Sequence, residues 1–334
     1  MQVTGSVLNS NTELFDLIQA KQLDITACDA LAEFAGRVCY ASEARMGDAP
    51  DFISDRLREG HADVIEHGWM SFFFHRRPVF TPNRYLAVTA EEEGWRISGN
   101  LRAWYDATDA LRGIIPDTNT IHFLEYLRDA APSVFGSNTD QAIAIGKPPS
   151  VKPKPHVQAL GWCYVSGTPI ETYDAHNQAT FLIYGVSRSL THQLVRHRLF
   201  SISQQSQRYV DQNKAGWEYI IPPSIASDPE SVYLYYDVMN DIQAAYNRLR
   251  TSKIRKEDAR YVLPNAATTK LVVSMPFDAA RHFVWLRALD KAAQWEIRGV
   301  AQEMLELLYE IAPSAWEREM EQLSTDKRLK DGLQ

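Results

Sequence analysis

The sequence predicts an α+β fold. Helical periodicity and short apolar runs both occur along the 334 residues, without the regular alternation of strand and helix that a doubly wound sheet requires. Neither GxGxxG nor GxxxxGK followed by Ser or Thr is present, so nothing indicates a Rossmann or P-loop nucleotide site. Hydrophobic residues make up 45% and charged residues 23% of the chain, which is ordinary for a folded globular protein.

The elements are predicted from local patterns. Strands are predicted for the apolar runs 70–74, 179–183 and 270–274. Two helices are predicted because apolar residues recur on one face, at Tyr235, Met239, Ile242, Tyr246 and Leu249 in one and at Ile297, Val300, Met304, Leu307, Leu308 and Ile311 in the other. The second of these helices must end before Pro313, because proline cannot continue it.

A weak internal repeat divides the chain. Four matches occur in the same order: CYAS (39–42) with CYVS (163–166), Glu66-His67 with His176, 95–112 with 271–287, and 124–135 with 305–316. Their common order predicts two copies of one unit. The first copy, over residues 1–136, is shortened and degenerate, and the second covers residues 157–334. Residues 137–156 between them are rich in proline and are predicted to form an extended linker.

Charge and cysteine content narrow the function classes. The formal net charge is -7, which argues against a nucleic-acid surface. No signal peptide or membrane-length apolar run is visible, so we expect a cytoplasmic protein without a membrane partner. The three cysteines form no metal spacing, and no metal is expected. Cys39 and Cys163, each beside a tyrosine, are predicted to be core residues at equivalent positions of the two copies.

Residues 187–210 form a basic, hydroxyl-rich segment. Leu190 and Leu194 lie one turn apart and predict a helix over its first half, whereas Ser and Gln predict a loop over its second half. Its four arginines are Arg188, Arg196, Arg198 and Arg208. Clustered guanidinium groups favour an anion site, because they bind phosphate or carboxylate in a bidentate manner. A solvated helix end with surface salt bridges is the alternative that spacing alone leaves open.

The stretch RHRLFSISQQS, residues 196–206, resembles the signature of the flavin-dependent thymidylate synthases: Arg-His-Arg, seven residues, then Ser. The resemblance extends upstream to residue 180 and downstream through residues 259–273 and 286–298. In the first copy, GHADVIEH (60–67) and SGNLRAW (98–104) are also typical of that family. The resemblance implies the fold of this family, present as two copies in one chain with a degenerate first copy.

The resemblance also implies the site residues. FAD would be held by Arg196, His197 and Arg198, where positive charge stabilises the reduced flavin. The other implied flavin contacts are Thr172, Gln204 and His282. The implied nucleotide pocket consists of Gln193, Arg196, Gln204, Ser206, Gln207, Arg208, Arg260 and Arg287. Arg208 and Arg260 would bind phosphate, and the alternative for Arg260 is that it caps the buried segment that follows it. Arg287 and Ser206 would be catalytic, with Arg287 favouring loss of the uracil N3 proton.

The second copy departs from the family pattern. Pro276 stands in place of a flavin-binding Asn, Asp278 in place of an Arg, and Ala175 in place of a Glu. The first copy lacks Arg-His-Arg and reads NRYLAVT at 83–89, yet it keeps Asn100 and Arg102. We therefore expect composite sites, with Arg-His-Arg from the second copy and Asn100 and Arg102 from the first. The alternative is that the first copy is only a packing scaffold.

The implied activity is FAD-dependent C5-methylation of a uracil nucleotide, either dUMP to dTMP or UMP to 5-methyl-UMP. Methylenetetrahydrofolate would be the one-carbon donor and NADPH the reductant, in a homo-oligomer with sites at its interfaces. The cysteines are predicted to be core residues, which argues against a mechanism in which a cysteine thiolate attacks the uracil ring and so favours the flavin route. Two alternatives stay open: a specialised UMP methylase of modified-nucleoside biosynthesis, and a catalytically impaired flavin- or nucleotide-binding protein.

Overall fold

The structure is a computed structural model that describes residues 3–7, 9–10, 26–78, 80–109, 111, 118–136, 151–152, 154–165, 167, 170–212 and 218–326. Over these residues the fold is α+β, as predicted, and is built on two antiparallel sheets. No helix in the described ranges is long and apolar enough to span a bilayer. We call residues 1–136 the first half and residues 157–334 the second half.

The first half supplies one sheet and its helices. Its strands are β1 (Val3–Val7), β2 (Asn9–Ser10), β3 (Trp69–Phe74), β4 (Ala87–Glu91) and β5 (Gly94–Asn100). Its helices are α1 (Ala27–Tyr40), α2 (Ala49–Arg58), α3 (Leu101–Asp109), α4 (Thr118–Ala130) and α5 (Pro132–Phe135). The sheet order is β1-β3-β5-β4, while β2 joins the other sheet. A buried aromatic cluster of Phe72, Trp104 and Phe123 fills the space between sheet and helices.

The second half supplies the second sheet. Its strands are β6 (Val157–Cys163), β7 (Gln178–Ser187), β8 (Ser201–Gln204) and β9 (Thr268–Pro276). Its helices are α6 (Ile170–Asp174), α7 (Arg188–Leu194), α8 (Pro223–Ala226), α9 (Pro229–Thr251), α10 (Lys256–Ala259), α11 (Phe277–Val284), α12 (Trp295–Ile311) and α13 (Pro313–Thr325). The sheet order is β2-β6-β7-β9-β8. Phe181, Phe277, Phe283 and Trp316 are fully buried in its core.

The two sheets repeat one pairing pattern. Trp69 on β3 lies opposite Asn100 on β5, and Gln178 on β7 lies opposite Pro276 on β9. In each case the second strand runs directly into a helix, α3 or α11. A short edge strand completes each sheet, β4 beside β5 and β8 beside β9. The arrangement therefore places the ends of β5 and β9, and the residues before β4 and β8, in related positions.

The predicted elements are largely confirmed. Strands cover the three apolar runs, and the long helices are α9 and α12. Helix α12 ends at Ile311 with Ala312 at φ -143° and ψ 72° before Pro313. Ala131 has nearly the same backbone conformation, φ -148° and ψ 68°, before Pro132. The matched segments 124–135 and 305–316 therefore have the same local structure.

Two sequence predictions are wrong. Residues 201–204, part of the predicted loop, form strand β8, because alternating Ser201 and Ser203 are buried against β9 while Ile202 and Gln204 are half-buried. The match of CYAS with CYVS is also misleading, because Cys39 lies in helix α1 whereas Cys163 ends strand β6. Most of the predicted linker (137–150 and 153) lies outside the described residues, so the domain bounds stay a prediction.

Candidate functional site

Two buried histidines join the halves. His67 Nδ1 lies 2.8 Å from Ser274 Oγ, and its Nε2 lies 2.9 Å from Ser203 Oγ. His176 Nδ1 lies 2.8 Å from Ser98 Oγ, and its Nε2 lies 2.8 Å from Thr89 Oγ1. Burial lowers the pKa of His67 to about 3 and that of His176 to about 4. Both imidazoles are therefore neutral, and each binds hydroxyl groups of the opposite half.

These contacts are reciprocal. Ser98 Oγ donates to Ser71 Oγ at 2.6 Å, and Ser274 Oγ lies 2.6 Å from Thr180 Oγ1. The backbone repeats the relation, because Leu101 N donates to Gly68 O and Phe277 N donates to Asn177 O, both at 3.0 Å. Each hydrogen bond formed by a residue of one half thus has an equivalent formed by the corresponding residue of the other half. The junction therefore has a local two-fold relation.

A cavity of about 610 Å³ lies at this junction. Its size falls within the roughly 300–1,000 Å³ of small-molecule and cofactor sites. The first half lines it with Glu66, Trp69, Arg84, Tyr85, Leu86, Ala87, Asn100, Arg102, Ala103 and Asp106. The second half lines it with Ala175, Gln178, Arg198, Leu199, Phe200, Ser201, Ser274, Pro276 and Asp278.

The cavity walls carry equal numbers of basic and acidic side chains, but these side chains do not all pair with one another. Arg102 donates to Glu66 at 2.7 Å, and this contact with its neighbouring acids raises the pKa of the Arg102 guanidinium. Arg198 is exposed, and no acidic partner contacts it in the described ranges. Asp278 accepts from the backbone N–H of Ala279 at 2.7 Å and forms no ion pair with any described residue. The cavity thus offers cationic donors and a free carboxylate to a ligand.

Three predicted flavin residues meet in this cavity, namely Asn100, Arg102 and Arg198. Asn100 Oδ1 accepts from Ala103 N at 2.8 Å, which leaves its amide NH₂ to donate. The other predicted flavin residues do not line it. Thr172 is exposed on α6, and Gln204 Nε2 donates to the hydroxyls of Thr191 and Thr269.

A first polar group forms beyond the end of α7. Arg287 Nε donates to His197 Nε2 at 3.1 Å, and its Nη1 lies 3.5 Å from Gln193 Oε1. Burial, with the charges of Arg287 and His282, lowers the pKa of His197 to about 4. His197 is therefore neutral and presents an acceptor to Arg287. The exposed side chains of Arg196 and His282 complete this group, with the His282 ring 6.4 Å from His197.

A second polar group surrounds the loop after β8. Ser206 N donates to Cys39 O of the first half at 2.9 Å, and Arg208 N donates to Ser206 Oγ at 3.2 Å. The Arg208 guanidinium lies 3.8 Å from Glu257, and Arg260 Nε donates to Glu257 O at 3.2 Å. Arg260 therefore retains most of its donors, as an anion site would require. Gln207, the residue between Ser206 and Arg208, is half-buried.

Three residues of the cavity and the polar groups were not predicted as site residues from the sequence. Arg188 Nη2 donates to Gln205 O at 2.6 Å, and its buried Nε has no partner among the described residues. Burial and the charge of Arg260 lower the pKa of the Arg188 guanidinium. Arg84 and Trp69 line the cavity from a stretch without a family motif. The one signal for Arg84 is its position three residues before a short strand, which is also the position of Arg198.

The thiols of Cys39 and Cys163 are not activated for nucleophilic attack. Burial raises the pKa of the Cys39 thiol to about 11 and that of Cys163 to about 12. Neither forms a thiolate near neutral pH, so neither is an activated nucleophile. Within the described ranges, no group of three His, Cys, Asp or Glu residues could hold a metal ion.

Comparison with known proteins finds similarity to one family within the second half of the chain. The family description "Thymidylate synthase complementing protein" matches residues 167–314. The flavin-dependent thymidylate synthase of Nitratidesulfovibrio vulgaris is 46% identical over 154 residues, which cover 44% of this chain and 60% of the relative. That of Clostridium tetani is 41% identical over 167 residues, covering 45% and 64%. The chain thus spans about 60% of the length of these relatives.

Two solved structures are also similar. The UMP/dUMP methylase PolB from Streptomyces cacaoi, with 5-Br dUMP, has a TM-score of 0.38 and 23% identity over 44% of this chain and 77% of its own. Thymidylate synthase X from Helicobacter pylori, with FAD and dUMP, has a TM-score of 0.37 and 20% identity over 43% and 74%. On these sequence matches, residues 167–314 of this chain are similar to the flavin-dependent thymidylate synthases.

Proposed function

We propose that this protein methylates C5 of a uracil nucleotide, with FAD as cofactor, methylenetetrahydrofolate as one-carbon donor and NADPH as reductant. The observation that carries the proposal is the cavity at the junction, which brings Asn100 and Arg102 to the same space as Arg198. The amide and guanidinium donors suit the diphosphate and ring carbonyls of a flavin cofactor. The similarity of residues 167–314 to the flavin-dependent thymidylate synthases supports the same reaction class.

The residues of the cavity would hold FAD, which supplies the hydride that completes the methyl group. Arg198 and Arg102 would place positive charge beside the flavin ring system and favour its reduced, anionic form. Trp69 and Phe200 supply apolar surface on the two walls. Together these groups bind and orient the cofactor and exclude water from part of its surface.

The two polar groups would bind the nucleotide. Arg287, held by neutral His197 and Gln193, would lie against the uracil edge and favour loss of the N3 proton. Ser206, Gln207, Arg208, Arg260 and Arg188 would bind the phosphate and sugar. Because a guanidinium stays charged at any physiological pH, these arginines would carry the positive charge for phosphate binding throughout that range.

The two polar groups favour a homo-oligomer. No hydrogen bond or ion pair between described residues connects the Arg287 group to the Arg208 group. Arg188 and Gln193, which belong to different groups, lie five positions apart on α7, about 7.5 Å along the axis and on different faces. We propose that a nucleotide site using both groups takes one group from each of two chains. We include this shared site in the proposal.

We also propose that the two halves are copies of one unit. Four observations support duplication: the common strand pairing, the reciprocal histidine bonds, the equivalent backbone bonds and the equivalent breaks at Ala131 and Ala312. In this view the first half has kept Asn100 and Arg102 but lost Arg-His-Arg. The composite cavity is what remains of two related sites.

Two alternatives have specific support. The departures Pro276 and Asp278 both line the cavity, which favours a specialised enzyme such as a UMP methylase of modified-nucleoside biosynthesis. The same departures favour, as a second class, a flavin- or nucleotide-binding protein without methyl transfer. Retention of Arg287, Ser206 and Arg208 argues for catalysis.

One product assay tests the proposal. Purified protein is given methylenetetrahydrofolate and NADPH with dUMP or UMP in separate reactions, and the methylated nucleotide is measured. We expect methylation of one or both, and loss of FAD in the Arg196→Ala/Arg198→Ala variant. Methylation by protein that neither contains nor binds FAD would overturn the flavin assignment. FAD binding without any methylated product would establish the binding-protein alternative.

A further inference from the structure

The local two-fold relation passes through the cavity, so its walls contain paired positions. Asn100 and Pro276 end the paired strands β5 and β9, and Arg102 and Asp278 lie two residues further on, in α3 and α11. Arg84 and Arg198 each lie three residues before the edge strand of their sheet. All six line the same cavity. The cavity walls can therefore be compared position by position.

At two of these three positions the side chains of the paired walls differ in hydrogen-bonding ability. Asn100 and Arg102 both offer N–H donors. At the related places, Pro276 has no polar side chain and Asp278 is a carboxylate, an acceptor. Arg84 and Arg198 are the same residue type. The divergence therefore lies at the helix starts, where one wall donates hydrogen bonds and the other accepts them.

We propose that this divergence gives the cavity a direction: each chain binds one ligand in one orientation, with the acceptor-rich, anionic part at Asn100 and Arg102 and an N–H donor at Asp278. The identity of the ligand rests on the proposed function. FAD has the required chemistry, because its diphosphate and ring carbonyls accept hydrogen bonds whereas its ring N3–H and adenine amino group donate them. A symmetric pair of walls would accept two such ligands or either orientation.

A matched pair of variants separates recognition by Asp278 from a general charge effect. Asp278→Ala and Asp106→Ala each remove one exposed carboxylate from the cavity wall, the first on α11 and the second on α3. If charge alone matters, both variants bind the anionic cofactor as tightly as wild type or more tightly. If Asp278 accepts a hydrogen bond from the ligand, only Asp278→Ala weakens binding, by roughly tenfold or more.

The readout is binding rather than turnover. FAD is titrated into cofactor-free protein, and the quenching of its fluorescence gives affinity and the number of sites. We expect one FAD per chain, weakened binding in Asp278→Ala and none of that weakening in Asp106→Ala. Asp278→Ala binding FAD as tightly as wild type, or wild type binding two FAD per chain, overturns the inference. If wild type binds no FAD, the proposed function itself fails, which is a distinct result.

FMN, which has the ring N3–H but no adenine, identifies the donor. If Asp278→Ala weakens the binding of both FMN and FAD, the donor that contacts Asp278 is the N3–H of the flavin ring. Weakening of FAD alone assigns the adenine amino group. Both results support the directional cavity, and they differ only in which end of the cofactor faces α11.

Discussion

His67 and Ser274, separated by 207 positions in the sequence, are hydrogen-bonded at 2.8 Å across the junction of the two halves. His176 and Ser98 repeat this bond at the same distance in the opposite sense. Each histidine is thus buried only because the other half covers it. The same junction forms the base of the cavity, since Ser274 lines it. Stability of the junction and the shape of the proposed cofactor site are therefore connected.

We expect the junction to make the protein sensitive to acid. The unfolded His67 has an ordinary pKa near 6.5, whereas burial lowers the folded pKa to about 3. Below pH 6.5 the unfolded state binds the extra proton, so stability falls as pH falls. Between pH 7 and pH 5 this one group removes about 2 kcal/mol. In His67→Asn, the loss of unfolding free energy over this range should shrink by that amount.

Urea unfolding at the two pH values measures this difference. His122→Asn is the control, because it makes the same replacement at an exposed histidine of α4, away from the junction. An equal pH dependence in wild type and His67→Asn would show that His67 does not stay neutral when folded.

Arg102→Glu should reduce FAD affinity by roughly tenfold or more, because a carboxylate replaces a charged donor in the cavity and lies beside Glu66. The thermal midpoint should change little, since the Arg102 side chain is 46% exposed and exposed ion pairs contribute little. FAD titration and thermal unfolding measure the two effects. Arg58→Glu, on the exposed face of α2, is the control for charge reversal. Unchanged FAD affinity in Arg102→Glu would reduce the first half to a scaffold.

Arg287→Ala should have two effects. Loss of the neighbouring positive charge should raise the pKa of His197 above about 4, which a histidine NMR titration measures. Nucleotide affinity should fall by about 10- to 150-fold, the range for a lost charged hydrogen bond. Arg58→Ala, which replaces an exposed arginine of α2 paired with Asp55, is the control. A changed His197 pKa with unchanged nucleotide affinity would remove Arg287 from the nucleotide site but keep its contact with His197.

Mixing experiments should separate the two proposed sites. Arg287→Ala and Arg208→Ala protein, mixed and allowed to exchange chains, should regain part of the activity, because one mixed site contains neither substitution. Arg102→Glu mixed with Arg198→Ala should regain no FAD binding, because both residues line one cavity within a chain. Recovery in the second mixture would mean that the cavity is completed by another chain. No recovery in the first, with exchange verified, would place the nucleotide site within one chain.

Cys39→Ala and Cys163→Ala should both keep methyl transfer, because burial raises both thiol pKa values and leaves almost no thiolate. Cys163 is fully buried, and its replacement should lower the unfolding free energy by roughly 1–2 kcal/mol. Product assays and urea unfolding test the two statements. A folded cysteine variant without chemistry would restore a thiolate mechanism.

The sequence predicts those parts of the site that lie in segments resembling the family. Gln193, His197 and Arg287 are implied together by the family resemblance, and the structure brings them into contact. Arg84 could not be predicted because it matches Arg198 in its position before an edge strand, whereas the residues around the two arginines differ. Strand β8 could not be predicted because its short Ser-Ile-Ser-Gln alternation depends on burial against β9 and on His67. The CYxS match misleads because two adjacent residues fit equally well at a helix end and at a strand end.

The exchanged histidine bonds also bear on how the chain unfolds. Opening either half alone would expose the neutral histidine of the other half, together with the hydroxyl groups of that half that bind the histidine of the opened half. Partial unfolding therefore loses contacts on both sides at once, and we expect a single cooperative transition by fluorescence and by circular dichroism. A chain with two repeats would in that respect behave as one folding unit, so that neither repeat could be deleted without loss of the other.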